Sequence, residues 1–244
     1  MNTTWATLGM LTILNVACMD INDPRTPHQS ADHYFEIAKI KMLESQYDSA
    51  IVYLTKALES GFENPMAVVV KSEFYHVIDD PVYRPKIRTL LAEYAIEHDA
   101  TMVRPDEPGP RIFVEVQVLA ELDNQPVPNA KIELVQTDIH GRYFDENSQW
   151  NPRIFGYLIT DEDGKCTIHT IHPGRYKDDQ GETVPAHIHF TLEAEGYRTY
   201  ASEFTFENDT IFIRDGNDEE FPVARLDNPK DQDHFKVTIY LQKE

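Results

Sequence analysis

Residues 185–192 of this 244-residue chain read Pro-Ala-His-Ile-His-Phe-Thr-Leu, a short apolar run that is typical of a β-strand. Successive side chains of a strand point to opposite faces, so His187 and His189 point the same way and Ile188 points the other way. Two imidazoles on one face can bind a metal, although such pairs also face solvent or hydrogen-bond within a protein core. The stretch therefore predicts a strand and leaves its chemistry open.

Six further segments of the C-terminal half have the same strand-like character, with apolar positions that recur every second residue. They are residues 112–118, 131–135, 155–159, 166–171, 204–206 and 236–241. Turn-forming sequences such as Asp161-Glu-Asp-Gly164 and Pro173-Gly174 separate several of them. Short strands at this spacing predict a β-sandwich or a β-barrel.

The N-terminal half has a helical pattern instead. From Ala31 to about Asp99 the apolar residues recur at intervals of three and four, which predicts helices over residues 31–45, 48–60, 66–78 and 84–98. The first two resemble a tetratricopeptide hairpin at their packing positions, which are Tyr34, Ile37, Ala38, Ala50, Leu54 and Ala57. One hairpin cannot form a solenoid, which needs about three repeats. We therefore expect a small helical domain that docks on the second domain or on a partner protein.

These patterns divide the chain into four segments. They are a leader and linker (1–29), a tetratricopeptide-like helical domain (30–100), a proline-containing linker (101–110) and a β domain (111–244). The predicted fold class is α+β multidomain, with a small helical hairpin domain followed by an all-β sandwich.

The charge balance excludes one class of partner. The formal net charge is −20, and acidic residues outnumber basic ones in both halves. Nucleic-acid binding requires a basic surface that neutralises phosphates, so we expect no nucleic-acid partner. The two cysteines, Cys18 and Cys166, are too few for a disulfide framework or a zinc ribbon.

The first 19 residues contain no charged side chain. Their apolar run, Trp5–Ala17, has about 13 residues, too few to span a bilayer, which needs about 20. The run ends in Ala17-Cys18 and resembles a bacterial lipobox, so we expect lipidation of Cys18 and export to the periplasm or cell surface. Because a basic n-region is missing, the alternative is a short buried helix or frayed leader in a cytoplasmic protein.

Five motifs of the C-terminal half occur in one order and with compact spacing. They are Pro126-Val-Pro-x-Ala130, Gln136-Thr-Asp-x-x-Gly-x-Tyr143, Thr160-Asp-Glu-Asp-Gly164, Thr170-Ile-x-Pro-Gly-x-Tyr176 and Pro185-Ala-His-Ile-His-Phe190. With them, residues 111–215 resemble the intradiol ring-cleavage dioxygenases, a family that opens catechols between their two hydroxyls. The resemblance implies a β-sandwich of the intradiol dioxygenase type, a small catechol-type aromatic substrate and O₂ as the second substrate.

The resemblance also implies a ferric ion, Fe(3+), held by Tyr143, Tyr176, His187 and His189. It gives Tyr176 a catalytic role, as the ligand that the substrate displaces and that accepts a substrate proton. Phenolate and imidazole donors suit oxidised iron better than they suit thiol-preferring metals. Because a phenol titrates at about 10, it needs a strongly polarising cation to become a phenolate at neutral pH.

The sequence departs from the family pattern around the expected substrate pocket. Val184 stands where the family commonly has an arginine, three residues before the first histidine ligand, and Glu203 stands where it has a glutamine. Loss of an arginine that offsets negative charge on the ring weakens transition-state stabilisation. Arg175, next to Tyr176 in the sequence, is the candidate replacement.

Two interpretations from different classes remain open at the level of sequence. One is an iron dioxygenase. The other is a surface binding module, in which a β-sandwich keeps a relic of the metal site and the helical domain holds a partner protein. Zinc in the same pocket is a lesser alternative. The four ligand types favour the enzyme, whereas the missing arginine, the acidity and the lipobox-like leader favour the binding module.

Overall fold

The computed structural model describes residues 30–143, 151–211, 221–228, 230 and 233–244. The predicted leader, with Cys18, lies outside these residues. Within the described part of the chain, none of the helices is both long and apolar enough to cross a membrane.

Two helices, α1 (Ala31–Leu43) and α2 (Tyr47–Glu59), pack against each other as the sequence predicts. Ser30 caps α1, because its hydroxyl oxygen accepts a hydrogen bond from the His33 N–H at 3.2 Å. Small and large apolar side chains alternate between the two helices in the buried interface. They are Phe35, Ala38 and Met42 on α1, and Ala50, Leu54 and Ala57 on α2.

The prediction of a single helix over residues 66–78 is wrong. This segment contains α3 (Ala67–Val70), a 3₁₀ turn (Ser72–Phe74) and α4 (Tyr75–Asp79). The break is at Lys71, whose backbone is extended (φ −86°, ψ 120°) and follows a run of β-branched valines that weakens helix propensity. The next helix, α5 (Arg84–Glu93), ends before the predicted residue 98. It does so because the Glu97 carbonyl bonds to the sheet, accepting from the Ile159 N–H at 3.0 Å.

Eleven strands follow within the described residues. They are β1 (Asp99–Thr101), β2 (Arg111–Ala120), β3 (Lys131–Gln136), β4 (Ile154–Ile159), β5 (Lys165–Ile171), β6 (Tyr176–Lys177), β7 (Thr183–Val184), β8 (His187–Glu193), β9 (Tyr200–Phe206), β10 (Val223–Leu226) and β11 (His234–Leu241). Nine of them form one mixed sheet in the order β1-β5-β2-β11-β10-β9-β8-β3-β4, and β6 pairs with β7. All seven predicted strands are confirmed; β1, β6, β7 and β10 were not predicted.

The large sheet curls until its two edges approach each other. Met102, just after edge strand β1, lies so close to Gly156 of the other edge strand, β4, that a Cβ at position 156 would collide with it. The inward-facing side chains of β2 alternate with outward ones and are buried at positions 112, 114, 116 and 118. Helices followed by a nearly closed β structure confirm the predicted fold class.

The segment predicted as a linker, 101–110, is packed between the helices and the sheet. It begins in β1, and Met102 is buried. Arg104 binds Asp79 of α4 at 2.7 Å, and Glu107 binds both terminal nitrogens of Arg153, just before β4, at 2.5 and 2.7 Å. The buried apolar side chains of helices and sheet form one cluster. The helical part is therefore held firmly on the sheet.

Candidate metal centre

Strand β8 presents two imidazoles on one side of the sheet. Ile188, between them, is fully buried in the core, and the Nε2 atoms of His187 and His189 lie 3.2 Å apart. In the strand register His189 stands between Val135 of β3 and Glu203 of β9. Side chains directly opposite one another share a face, so Val135, His189 and Glu203 form one row across the sheet, with His189 in the middle.

Two tight turns bring the tyrosines to the same place. Tyr143 follows the turn after β3, and Tyr176 begins β6 after the Pro-Gly turn. The Gly174 N–H donates to the Asp138 carbonyl at 2.9 Å, so the two turns are in backbone contact. Gly141 has a φ of +76°, and a Cβ there would collide with the carbonyl oxygen of Arg175. Only glycine allows this approach, which sets the two phenols side by side.

Tyr143, Tyr176 and His189 all approach the same ring nitrogen, Nε2 of His187. The hydroxyl oxygens of Tyr143 and Tyr176 lie 2.9 and 3.4 Å from His187 Nε2, and His189 Nε2 lies 3.2 Å from the same atom. Tyr143 and His187 are buried, whereas Tyr176 and His189 are half-buried. The structure therefore brings together the four residues that the sequence predicts as ligands.

A backbone contact fixes the orientation of His187. Its Nδ1 lies 2.8 Å from the carbonyl oxygen of Pro185. A carbonyl can only accept, so Nδ1 carries the proton and Nε2 presents its lone pair to the centre. This is the arrangement of a metal-binding histidine, whose outer nitrogen donates to a backbone carbonyl.

Glu203 adds a carboxylate to the same cluster. Its Oε2 lies 3.5 Å from His189 Nδ1 and 4.0 Å from His187 Nε2. Donor atoms of His187, His189 and Glu203 all lie within 4.8 Å of one another, close enough to hold one metal ion. The sequence predicts Glu203 only as a pocket residue. Its closeness to the imidazoles follows from the pairing of β9 with β8, which places Glu203 opposite His189.

The protonation of the metal-free centre follows from its burial. Burial, with the neighbouring Tyr176, raises the pKa of Tyr143 far above its ordinary value. Burial also raises the pKa of Tyr176 and, with His187 nearby, lowers the pKa of His189 to about 4. At neutral pH both phenols therefore keep their protons and His189 is uncharged. Only a cation of high charge, bound among these donors, favours the phenolates.

These donors fit a ferric ion. Two phenols and two imidazoles are hard and intermediate ligands, and two phenolates neutralise most of a 3+ charge. Thr205, opposite His187 in the register of β8 and β9, has a buried hydroxyl without a hydrogen-bond partner among the described residues.

The structure shows where Val184 and Arg175 lie, the residue in place of the family's arginine and its candidate replacement. Val184 pairs with Tyr176 across the β6–β7 hairpin. Arg175 donates from Nε to the buried Asp209 at 2.8 Å, and Asp209 also accepts from the Ala186 N–H at 3.1 Å. The Arg175–Asp209 pair thus joins the strand of Tyr176 to the residue before His187. Its charge already has a partner, which weighs against Arg175 as the replacement arginine.

A cavity of about 500 Å³ opens beside His189 and Glu203. Its wall includes an arginine that the sequence did not single out, Arg88 of α5. The remaining lining residues are Glu133, Val135, Phe190, Thr191, Ala201, Ser202 and Phe221. A volume of this size is within the range of small-molecule sites, so an aromatic ring can reach the centre from here.

Comparisons with known proteins agree with the motifs. A family model described as "Dioxygenase" matches residues 78–219, more than half of the chain. The chain is 29% identical to catechol 1,2-dioxygenase of Acinetobacter baylyi over 128 residues, which are 45% of this chain and 40% of that protein. It is 32% identical to the protocatechuate 3,4-dioxygenase alpha chain of Pseudomonas putida over 97 residues, 39% of this chain and 48% of that one. These matches span half or less of either protein.

Among solved structures, the chain is similar to 3-chlorocatechol 1,2-dioxygenase of Rhodococcus opacus. It is 21% identical, has a TM-score of 0.49, and the superposition covers 86% of this chain and 94% of that chain. Catechol 1,2-dioxygenase of Pseudomonas arvilla is 18% identical, with a TM-score of 0.48 and coverage of 88% and 93%.

Proposed function

This chain belongs to the intradiol dioxygenase family, and we propose that it is a non-haem ferric enzyme that cleaves a catechol-type ring between its hydroxyls with O₂. The main support is the convergence of Tyr143, Tyr176 and His189 on His187 Nε2, within 3.4 Å. Ferric iron held by these four side chains would supply Lewis acidity and an electron acceptor, the chemistry that makes a catechol ring reactive toward O₂.

The burial and contacts of the candidate ligands indicate which of them stay in place and which can leave when substrate binds. Tyr143 is buried and His187 is fixed through Pro185, so both are suited to stay in place. Tyr176 is half-buried, makes the longer 3.4 Å contact, and belongs to a hairpin of two-residue strands. It is therefore the tyrosine best placed to leave the centre when a substrate oxygen arrives.

Tyr176 is also suited to accept the substrate proton. Burial raises its pKa above that of an exposed tyrosine, so its free phenolate is a stronger base than usual. A catechol hydroxyl that approaches the centre must lose a proton, and the departing phenolate is adjacent to it. Val135, Phe190 and Phe221 supply apolar lining to the cavity where the ring would lie.

The test is a visible absorption spectrum of iron-reconstituted protein, before and after anaerobic addition of catechol. We expect a tyrosinate-to-iron charge-transfer band that shifts with catechol and weakens in Tyr143→Phe. Tyr240→Phe, which removes a tyrosine of β11 that is 47% exposed, is the matched control and should leave the band unchanged. Admission of O₂ labelled with ¹⁸O should then give a ring-opened dicarboxylate that contains both labelled atoms.

A colourless protein that takes up no iron would contradict this proposal. That result would favour the binding-module interpretation and direct attention to protein partners of the α1–α2 hairpin. The spectrum distinguishes the enzyme from the binding module, because a relic site without iron gives no absorption band that changes with catechol.

We further propose that the enzyme is exported and anchored through a lipid on Cys18, on the basis of the lipobox-like Ala17-Cys18 sequence alone. Membrane partitioning of the full chain tests this. Cys18→Ala should release the protein into the soluble fraction, and retention of the variant on membranes would contradict the proposal.

A further inference from the structure

One face of the sheet forms the floor of the cavity beside the metal centre. Across strands β3, β8 and β9, Val135 lies opposite His189 and His189 opposite Glu203. Residues two apart on a strand share a face, so the adjoining row contains Glu133, Thr191 and Ala201. The cavity thus extends from the imidazoles along two rows of the sheet toward α5.

The only cation that lines this cavity among the described residues is already neutralised. Arg88 Nη2 donates to Glu133 Oε1 at 2.6 Å, and Arg88 Nε donates to the Tyr157 hydroxyl at 3.1 Å. The same hydroxyl donates to Glu133 Oε1 at 2.7 Å. Arg88 is only 15% exposed and held on two sides, so it is poorly placed to bind an anionic substrate group.

Within the described part of the chain Glu203 lacks a lysine or arginine partner, although its carboxylate lies close enough to the two histidines to share a metal ion with them. Its charged-group contacts are with His189 and His187. Its side chain is 22% exposed and lines the cavity. The charged side chains on the cavity wall, Arg88, Glu133 and Glu203, therefore sum to one negative charge.

We infer that the substrate is a catechol whose ring substituent is neutral or positively charged, such as an aminoalkyl chain, and that the cavity rejects a ring carboxylate. This inference rests on the proposed function. A carboxylate in this cavity would lose its water shell beside Glu203 without gaining a cationic partner, whereas an ammonium group would gain one.

The experiment compares four catechols on the iron-loaded protein. They are catechol, 4-methylcatechol, 3,4-dihydroxybenzoate and 4-(2-aminoethyl)catechol. Anaerobic titration calorimetry gives Kd, and oxygen uptake gives kcat/KM. We expect the aminoethyl compound to exceed the benzoate by about tenfold or more in both quantities, and the ratio to shrink at high salt.

Two variants test the stated cause. Glu133→Gln keeps the hydrogen-bond acceptor for Arg88 and Tyr157 but removes the carboxylate charge opposite Arg88, and Glu203→Gln removes the other carboxylate of the cavity wall. Each should lower the ratio of aminoethyl to carboxylate compound by about tenfold. Glu195→Gln, on the exposed turn beyond β8, is the control and should leave the ratio unchanged.

Each outcome decides between the two proposals. If neutral catechols bind and react but the benzoate equals or exceeds the aminoethyl compound, the charge selectivity is wrong and the dioxygenase function stands. Ratios that neither Glu133→Gln nor Glu203→Gln changes would also overturn the selectivity. If none of the four compounds binds or reacts, the proposed function itself fails and the selectivity fails with it.

Discussion

The protonation of Tyr143 couples metal binding to pH. Burial holds the pKa of both phenols above the ordinary value, so each keeps its proton in the metal-free protein at neutral pH. Iron must displace both protons, and we expect the wild-type centre to release about two protons per ferric ion and Tyr143→Phe about one. Calorimetry of ferric nitrilotriacetate binding in buffers of different ionisation enthalpy measures the number. Affinity should therefore rise with pH, and a pH-independent affinity would contradict the assignment of two phenolates.

Arg175 provides a second prediction at the scale of single residues. Its Nε donates to the buried carboxylate of Asp209, which also accepts from the backbone before His187. Arg175→Ala leaves that carboxylate with one partner fewer and should lower the free energy of unfolding by about 1–3 kcal/mol. Arg175→Lys should recover part of the loss, because a cation remains near Asp209. Chemical denaturation measures both; a variant with full stability but no turnover would instead favour the replacement-arginine role.

The proximity of the four candidate ligands was predictable because each belongs to a motif in which local geometry is dictated by the sequence. His187 and His189 share a face through the two-residue period of β8, and glycines 141 and 174 permit the turns that place the tyrosines. Arg88 was not predictable in this way. It lies on a helix that is remote in sequence from the motifs and reaches the cavity only through tertiary packing.

The contact between two turns is the critical element of the centre. An alanine at position 141 would have both an unfavourable φ of +76° and a collision with the carbonyl oxygen of Arg175. We expect Gly141→Ala to lower the free energy of unfolding by about 2–4 kcal/mol and to weaken iron binding, because the turn that leads to Tyr143 must move.

Gly181→Ala is the matched control for that prediction. Gly181 has a φ of +84°, but nothing lies within 4 Å of a Cβ built there. Its substitution should therefore cost only the left-handed backbone penalty, about 1–2 kcal/mol, and leave iron affinity unchanged. Equal effects of the two substitutions, measured by denaturation and by iron titration, would show that the turn contact does not position the ligands.

At the scale of elements, the predictions that succeeded were those for segments with a clear apolar period and enough residues to show it. The seven strands with a sustained two-residue period were all found, and the first two helices had complete apolar faces. The unpredicted strands β1, β6, β7 and β10 have only two to four residues, too few to show a period. The break at Lys71 follows a run of β-branched valines, and the early end of α5 reflects a tertiary contact of Glu97 with the sheet, which overrides a helical pattern.

At the scale of the whole molecule, the segment predicted as a linker packs against both the helices and the sheet. Prolines indicated a linker at 101–110, yet Arg104 and Glu107 in that segment bind Asp79 and Arg153 on either side of it. Proline marks only where regular structure stops, and the partners that pack a segment are distant in sequence. Because α5 contributes Arg88 to the cavity, the helical part forms one wall of the candidate site.

The junction between helices and sheet contains a titratable group that tests this arrangement. Glu97 precedes β1, and its Oε2 accepts a hydrogen bond from the Met66 N–H at 2.8 Å. Burial raises the pKa of Glu97 to about 7 from its ordinary 4.5, and Asp99 adds to the rise. The folded protein thus binds this proton more tightly than the unfolded chain does. Protonated Glu97 contributes stability that is complete below about pH 4.5 and is lost as the pH rises through about 7.

We therefore expect Glu97→Gln to remove one pH-dependent component of stability. Glutamine keeps an acceptor for Met66 but carries no charge. Since Glu97 is only partly buried, the variant should gain about 1–2 kcal/mol over the wild type between pH 4.5 and 7.5, discounted for solvent screening. Denaturant unfolding across this range measures the difference, with exposed Glu63→Gln as the control that follows the wild type. A parallel pH profile for Glu97→Gln and wild type would mean that the junction is open to water, and that the helical part is held less firmly than its contacts indicate.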